Sequence, residues 1–272
     1  MPADLTLILG PQTRGAMALN DYIRETGGAL SGEGVRVLPK RFAAPLIRQA
    51  LDQSTPLQDR LAAFEDAVAP GPTVLSALTV LGRPEAALKN GTLFEGMDAV
   101  FEGLQPFAGT ARFVLTVDRL PAFYLAQGSD RLEARVKATP WDVLYELGWA
   151  RLAEALSQAL PKAELLVVTP EGLARRPAAA MARIFGVTVG DPIRFLRAAM
   201  TETGRAVLDR MLASGVPEQA TLDELSASFA DTPSLSDIHD RLGIEKITAE
   251  LLEQRYREDL ATIAALPRAE VI

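Results

Sequence analysis

Gly10 and Gly15 stand five apart in Leu5-Thr-Leu-Ile-Leu-Gly10-Pro-Gln12-Thr13-Arg14-Gly15-Ala16-Met17, between an apolar run and a helical pattern. This is the glycine spacing of a strand–GxxxxGK[ST]–helix phosphate loop, where main-chain N–H groups cradle an oxyanion and a lysine and a hydroxyl complete the contacts. Here Ala16 and Met17 fill the lysine and Ser/Thr positions, so the side-chain half of that chemistry is missing. The main-chain half remains. A loop from Gly10 through Gln12 and Thr13 into a helix at Gly15 still aims N–H groups and the positive end of a helix dipole at an anion. Arg14 is the one cation in the loop, and its guanidinium fork suits an external oxyanion or a carboxylate of the chain itself. Arg119 ends the run Phe113-Val-Leu-Thr-Val-Asp118-Arg119, at the carboxyl end of an expected strand, where open α/β sheets bind ligands. Asp118 beside it offers a structural ion pair instead.

Other chemistry is sparse. His239, the only histidine, lies in Ser234-Leu-Ser-Asp237-Ile-His239-Asp240, which invites a metal site. Ser234-x-x-Asp237 reads more simply as a helix start, and with no second histidine and no cysteine to complete a shell, no metal is expected. Glu146, Glu154 and Glu164 lack a partnered carboxylate, so no acid/base pair is named. Arg36, Lys40 and Arg41 read as a solvated basic turn, with phosphate binding as the alternative.

Positioning these residues falls to short β-branched or leucine-rich runs that alternate with helical patterns, as in βαβ units around a parallel sheet. Strands are expected at Leu5–Leu9, Val35–Leu38, Thr73–Ser76, Arg112–Val117 and Glu164–Thr169. Helices are expected at Ala16–Thr26, Phe42–Leu51, Leu57–Ala69, Glu85–Lys89, Met97–Phe107, Leu120–Ala126 and Leu173–Phe185. Trp141–Leu160 reads as one long amphipathic helix. After Gly190 only helices are expected, at Pro192–Leu212, Leu222–Phe229, Leu235–Leu242 and Ile247–Ala265. The expected fold is thus a three-layer α/β domain over 1–272, with a parallel sheet of about five strands and a helical extension, 191–272, packed on it.

Composition narrows the partners. With 28 basic and 35 acidic side chains in 272 residues, the net charge of -7 gives no extended positive field, so neither nucleic acid nor a membrane surface is an expected partner. The first apolar run stops after five residues at Gly10 and lacks a basic flank, which leads to the expectation of a cytoplasmic protein.

Taken in order, these segments resemble the sulfotransferase family, in particular bacterial members that open with a strand and Gly-Pro-x-Lys-Thr-Gly-Thr-Thr-Ala-Leu-Gln. The corresponding stretch here is Gly10-Pro-Gln-Thr-Arg-Gly-Ala-Met-Ala-Leu-Asn20. Val74-Leu-Ser-Ala77, Phe113 to Arg119, Ala122-Phe-Tyr-Leu-Ala-Gln127, Leu166 to Leu173, Ile184-Phe-Gly-Val187 and Glu253-Gln-Arg-Tyr-Arg-Glu-Asp-Leu260 follow in the family's order. The resemblance implies a P-loop kinase-like fold that binds 3′-phosphoadenosine 5′-phosphosulfate and passes its sulfuryl group to a small-molecule or glycan acceptor. It makes Gly10, Gln12, Thr13, Arg14, Gly15, Ala16 and Arg119 the candidate cofactor contacts.

The departures fall on the chemistry. The family's loop lysine corresponds to Thr13, the next threonine to Arg14, and the pair after the glycine to Ala16 and Met17. The arginine that grips the 3′-phosphate corresponds to Asp118, its assisting serine to Ala126, and the general-base glutamate to Leu78. Losing one preorganised charge-stabilising donor costs about 10²–10³ in rate, so concerted losses predict little catalysis unless other residues substitute. Two readings follow: a sulfotransferase-like transferase with a divergent site, or an inactive scaffold that binds a ligand or a protein partner. A kinase or NTPase, lacking the lysine and the metal-binding hydroxyl, ranks last.

Overall fold

Leu5–Leu9 forms β1 and is buried at every position, as a run without polar alternation requires when helices cover both faces of a strand. In the computed structural model, the described residues are 5–10, 13–68, 71–77, 84–90, 93–94, 96–186, 193, 196–197, 200–215, 217–229 and 233–272. After β1 come α1 (Arg14–Gly32), β2 (Arg36–Leu38), α2 (Lys40–Leu51), α3 (Leu57–Val68), β3 (Thr73–Ser76), α4 (Pro84–Asn90), α5 (Met97–Ala108) and β4 (Arg112–Thr116). The chain continues through α6 (Leu120–Ala126), α7 (Asp130–Ala138), α8 (Trp141–Glu146), α9 (Trp149–Ala159), β5 (Glu164–Val168), α10 (Pro170–Arg175) and α11 (Pro177–Phe185). It closes with α12 (Glu202–Ser214), α13 (Gln219–Phe229), α14 (Leu235–Leu242), α15 (Lys246–Ala264) and β6 (Ala269–Val271).

The six strands make one all-parallel sheet in the order β2-β3-β1-β4-β5-β6. Side chains alternate across it. Leu5, Leu7, Leu9, Leu75, Phe113, Leu115, Leu165 and Val167 face a core built with α2, α3, α5, α9 and α15. Ile8, Val74, Val114, Leu166 and Val168 face the opposite core, with α1 and α11. The result is the expected three-layer α/β fold. Because β1 lies between β3 and β4, the connection from β3 to β4 passes across it, and its carboxyl end is a topological switch point.

Three expectations are corrected. The sheet has six strands, since Ala269–Val271 pairs in parallel with β5. Its approach to α10 is close: a Cβ on Gly172 would lie 1.9 Å from Ile272, so only glycine fits there. The expected long helix over Trp141–Leu160 is two helices, α8 and α9, broken at Leu147-Gly148. The break is made by tertiary contact, because the Asp259 carboxylate accepts the Trp149 N–H at 2.6 Å, and a Cβ on Gly148 would meet that carboxylate at 2.9 Å. Leu173–Phe185 is likewise divided, with Pro177 opening α11 and holding Arg176 out of the helical region.

The C-terminal segments have two fates. Leu242, Ala249, Leu252, Tyr256 and Ile263 of α14 and α15 enter the main core. Leu208 of α12 and Leu222 and Leu225 of α13 make a separate small cluster with Leu196 and Met200. Among the described residues, no helix is long and apolar enough to cross a membrane.

Candidate functional site

The Gly10–Gly15 loop ends as a capped helix. The Thr13 hydroxyl accepts the Ala16 N–H at 3.1 Å, and the Thr13 carbonyl takes the Met17 N–H at 2.9 Å. Thr13, at the position of the family's lysine, is thus the N-cap of α1, and it satisfies one of the free amides that an anion would otherwise attract. Gly15 faces Leu173 of α10, whose Cδ1 would lie 3.2 Å from an added Cβ. Ala16 is fully buried against the sheet, while Met17 is partly exposed. Gln12 and Leu78 lie outside the described residues.

Arg14 points not to solvent but to Asp118, with Nε 3.5 Å from Oδ2 of a carboxylate that is 0% exposed. Asp118 is fixed further by the Arg119 N–H, which donates to Oδ1 at 2.8 Å, while its own carbonyl accepts the Trp149 indole N–H at 2.7 Å. Burial pushes the Asp118 carboxyl above the usual range, and Arg14 and the Arg119 amide oppose that shift. The Ser76 and Thr116 hydroxyls, at the ends of the two strands that flank β1, are also buried and make no hydrogen bond among the described residues. The switch point therefore holds a polar knot closed over by the core.

Arg119 precedes α6 at the carboxyl end of β4, as its sequence position required. Its side chain does not pair with Asp118. It lies between two carboxylates, donating from Nε and Nη2 to Glu253 of α15 and from Nη1 to Glu171 of α10. The guanidinium also covers the Tyr256 ring at 5.3 Å, and the Tyr256 hydroxyl donates to Glu171 at 3.3 Å. Burial, followed by the charge of Asp118, pushes the Tyr256 phenol upward, so it stays a neutral donor. Arg257 adds a second cation on Glu253, at 3.2 Å.

These charges form the floor of a cleft of about 760 Å³ at the carboxyl ends of β4 and β5, beneath α14 and α15. Pro121, Ala122, Pro170, Ala174, Leu235 and Ile238 line it, with Arg175 also on the wall. That volume is in the range of small-molecule sites, which occur preferentially at this end of such sheets. The two candidate cations are therefore brought to neighbouring but distinct places, Arg14 into the core and Arg119 to the cleft.

Sequence reasoning missed Glu171, Arg175 and the cleft itself. Its signal was present in the closing Tyr256-x-x-Asp259-Leu260, whose Tyr256 supports Arg119 and whose Asp259 caps α9. At the proposed helix start, Ser234 and Asp237 form a reciprocal capping box, and His239 is an exposed neighbour of Glu245 at 3.8 Å. Among the described residues, no three His, Asp or Glu side chains are grouped to hold a metal ion. Comparison with family models finds no match, and neither curated proteins nor solved structures give a significant one.

Proposed function

We propose that this chain is a non-catalytic binding module on a sulfotransferase-like α/β scaffold, and that its ligand site is the cleft between the β4 and β5 ends and helices α14 and α15. One observation carries the reading: both candidate cofactor cations are neutralised by carboxylates of the chain itself, Arg14 by Asp118 and Arg119 by Glu171 and Glu253. Sulfuryl transfer, like phosphoryl transfer, relies on cations aimed at developing negative charge. A donor set already committed to internal anions does not fit the two phosphate ends of 3′-phosphoadenosine 5′-phosphosulfate. Thr13, capping its own helix, withdraws an amide from the same task.

The test is direct. The melting temperature with millimolar 3′-phosphoadenosine 5′-phosphate should be unchanged, and no labelled sulfate should pass from the donor to small-molecule or glycan acceptors. A nucleotide-dependent rise in melting temperature that disappears in Arg14→Ala, or detectable transfer, overturns the proposal in favour of a transferase with a divergent site.

A further inference from the structure

One arginine on the wall of the cleft, Arg175, has no ion-pair partner among the described residues. Glu253 is held by Arg119 and Arg257, and both Glu171 oxygens are engaged, one by Arg119 and one by the Tyr256 hydroxyl. Glu250, on the rim, leans to Lys246 at 3.8 Å. Three arginines and three glutamates line the cleft, and of the arginines Arg119 and Arg257 are paired while Arg175 makes no ion pair or hydrogen bond among the described residues. The wall around it is apolar. Leu235, in the first turn of α14, keeps 52% of its surface exposed while lining the cleft, the arrangement of a side chain that a ligand would cover.

From this we infer that the cleft takes a small amphipathic monoanion, an apolar body carrying a single carboxylate. The body lies against Pro121, Ala122, Ala174, Leu235 and Ile238, and the carboxylate meets the Arg175 guanidinium. A cation or a neutral ligand leaves Arg175 without a partner, and the Glu171 and Glu253 carboxylates are already engaged by Arg119, Arg257 and the Tyr256 hydroxyl. A dianion finds only one cation not already paired. The inference rests on reading this cleft as the binding site, and it adds the ligand's charge and polarity.

Sodium decanoate below its micellar concentration, with decanol as the neutral partner, separates the two claims by calorimetry on the full chain. Decanoate should bind at least about tenfold tighter than decanol, as a charge-assisted hydrogen bond implies. Arg175→Gln should remove that preference while leaving the melting temperature of the free protein unchanged, since Arg175 is exposed and unpaired. Leu235→Trp, which fills the cleft from an exposed position, should weaken both probes. Equal binding of decanoate and decanol, or a preference that survives Arg175→Gln, overturns the monoanion assignment and leaves the cleft as the site. Absence of binding by either probe, or binding indifferent to Leu235→Trp, overturns both.

Discussion

Asp118 and Arg119 are adjacent in sequence, yet their side chains end in opposite physical conditions. Asp118 closes with Arg14 inside the protein, where its carboxylate has no solvent contact. Arg119 joins Glu171 and Glu253 at the floor of an open cleft, with each of the three side chains about one quarter to one third exposed. In the first place, unpairing strands a charge in low dielectric. In the second, water or a ligand replaces the lost partner. Opposite charges at short distance therefore serve as a fixed structural element in one region and as an exchangeable surface in the other.

The sharpest way to break this contrast is Asp118→Ala. Leaving the Arg14 guanidinium buried without its partner should cost about 3–5 kcal/mol, read as a fall in the denaturant midpoint. The double variant Arg14→Ala with Asp118→Ala should cost much less than the sum of the two single changes, because it removes both buried charges. A loss below about 1 kcal/mol in Asp118→Ala is the value of an exposed pair, and it would put the two regions in the same class.

Asp259 extends the sealed side. Its carboxylate accepts the Trp149 N–H from the start of α9, so Asp259→Asn should cost about 1.5–3 kcal/mol. The sign of its pH dependence follows from burial, which raises its pKa, while the Trp149 amide and Arg255 pull it down. A carboxyl raised on folding favours the protonated native state, so this contribution is complete below about pH 4 and declines as pH rises through the folded pKa. The stability advantage of the wild type over Asp259→Asn should therefore shrink across that range. An advantage that grows instead would mean that the amide and Arg255 outweigh burial.

The same contrast decides what could be read before folding. β1, β3 and α14 were legible to the residue, because unbroken apolar runs and a Ser-x-x-Asp cap are local signals. The break at Leu147-Gly148 was not, because the carboxylate that imposes it lies about a hundred residues away and the local pattern is helical throughout. β6 is three residues long and exists by pairing with the edge of β5, which nothing in Ala269-Glu270-Val271 announces. α7 was overlooked despite a readable signal, since Ser129 caps the Leu132 N–H and Asp130 and Glu133 stand in its first turn. At the site, sequence located both arginines and named carboxylate pairing as an alternative for each. It could not name Glu171 and Glu253 as the partners of Arg119, because α10 and α15 bring them there from far along the chain.

Thr13 tests how far the loop has become purely structural. Its hydroxyl caps α1, so Thr13→Ala should cost about 1 kcal/mol, and Thr13→Ser should restore most of that loss, as for any N-cap. Replacement by lysine, the residue type of the resembled family, tests the other direction. Thr13→Lys should destabilise by a similar amount without creating affinity for 3′-phosphoadenosine 5′-phosphate, because Leu173 still covers Gly15 and Asp118 still holds Arg14. Nucleotide binding by that variant would show that a single side chain separates the sealed loop from a working one.

The smallest effect belongs to the open cluster and is the most informative about its use. Arg119 is held by two carboxylates, so losing one leaves it paired, and solvent reaches all three groups. A double-mutant cycle of Arg119→Gln and Glu253→Gln should give a coupling of about 0.2–1 kcal/mol, with salt reducing it further. The Arg14–Asp118 cycle should exceed it severalfold and respond little to salt, because screening acts on exposed pairs and scarcely on buried ones. If the Arg119–Glu253 coupling matched that of the buried pair, the cleft floor would be as fixed as the core.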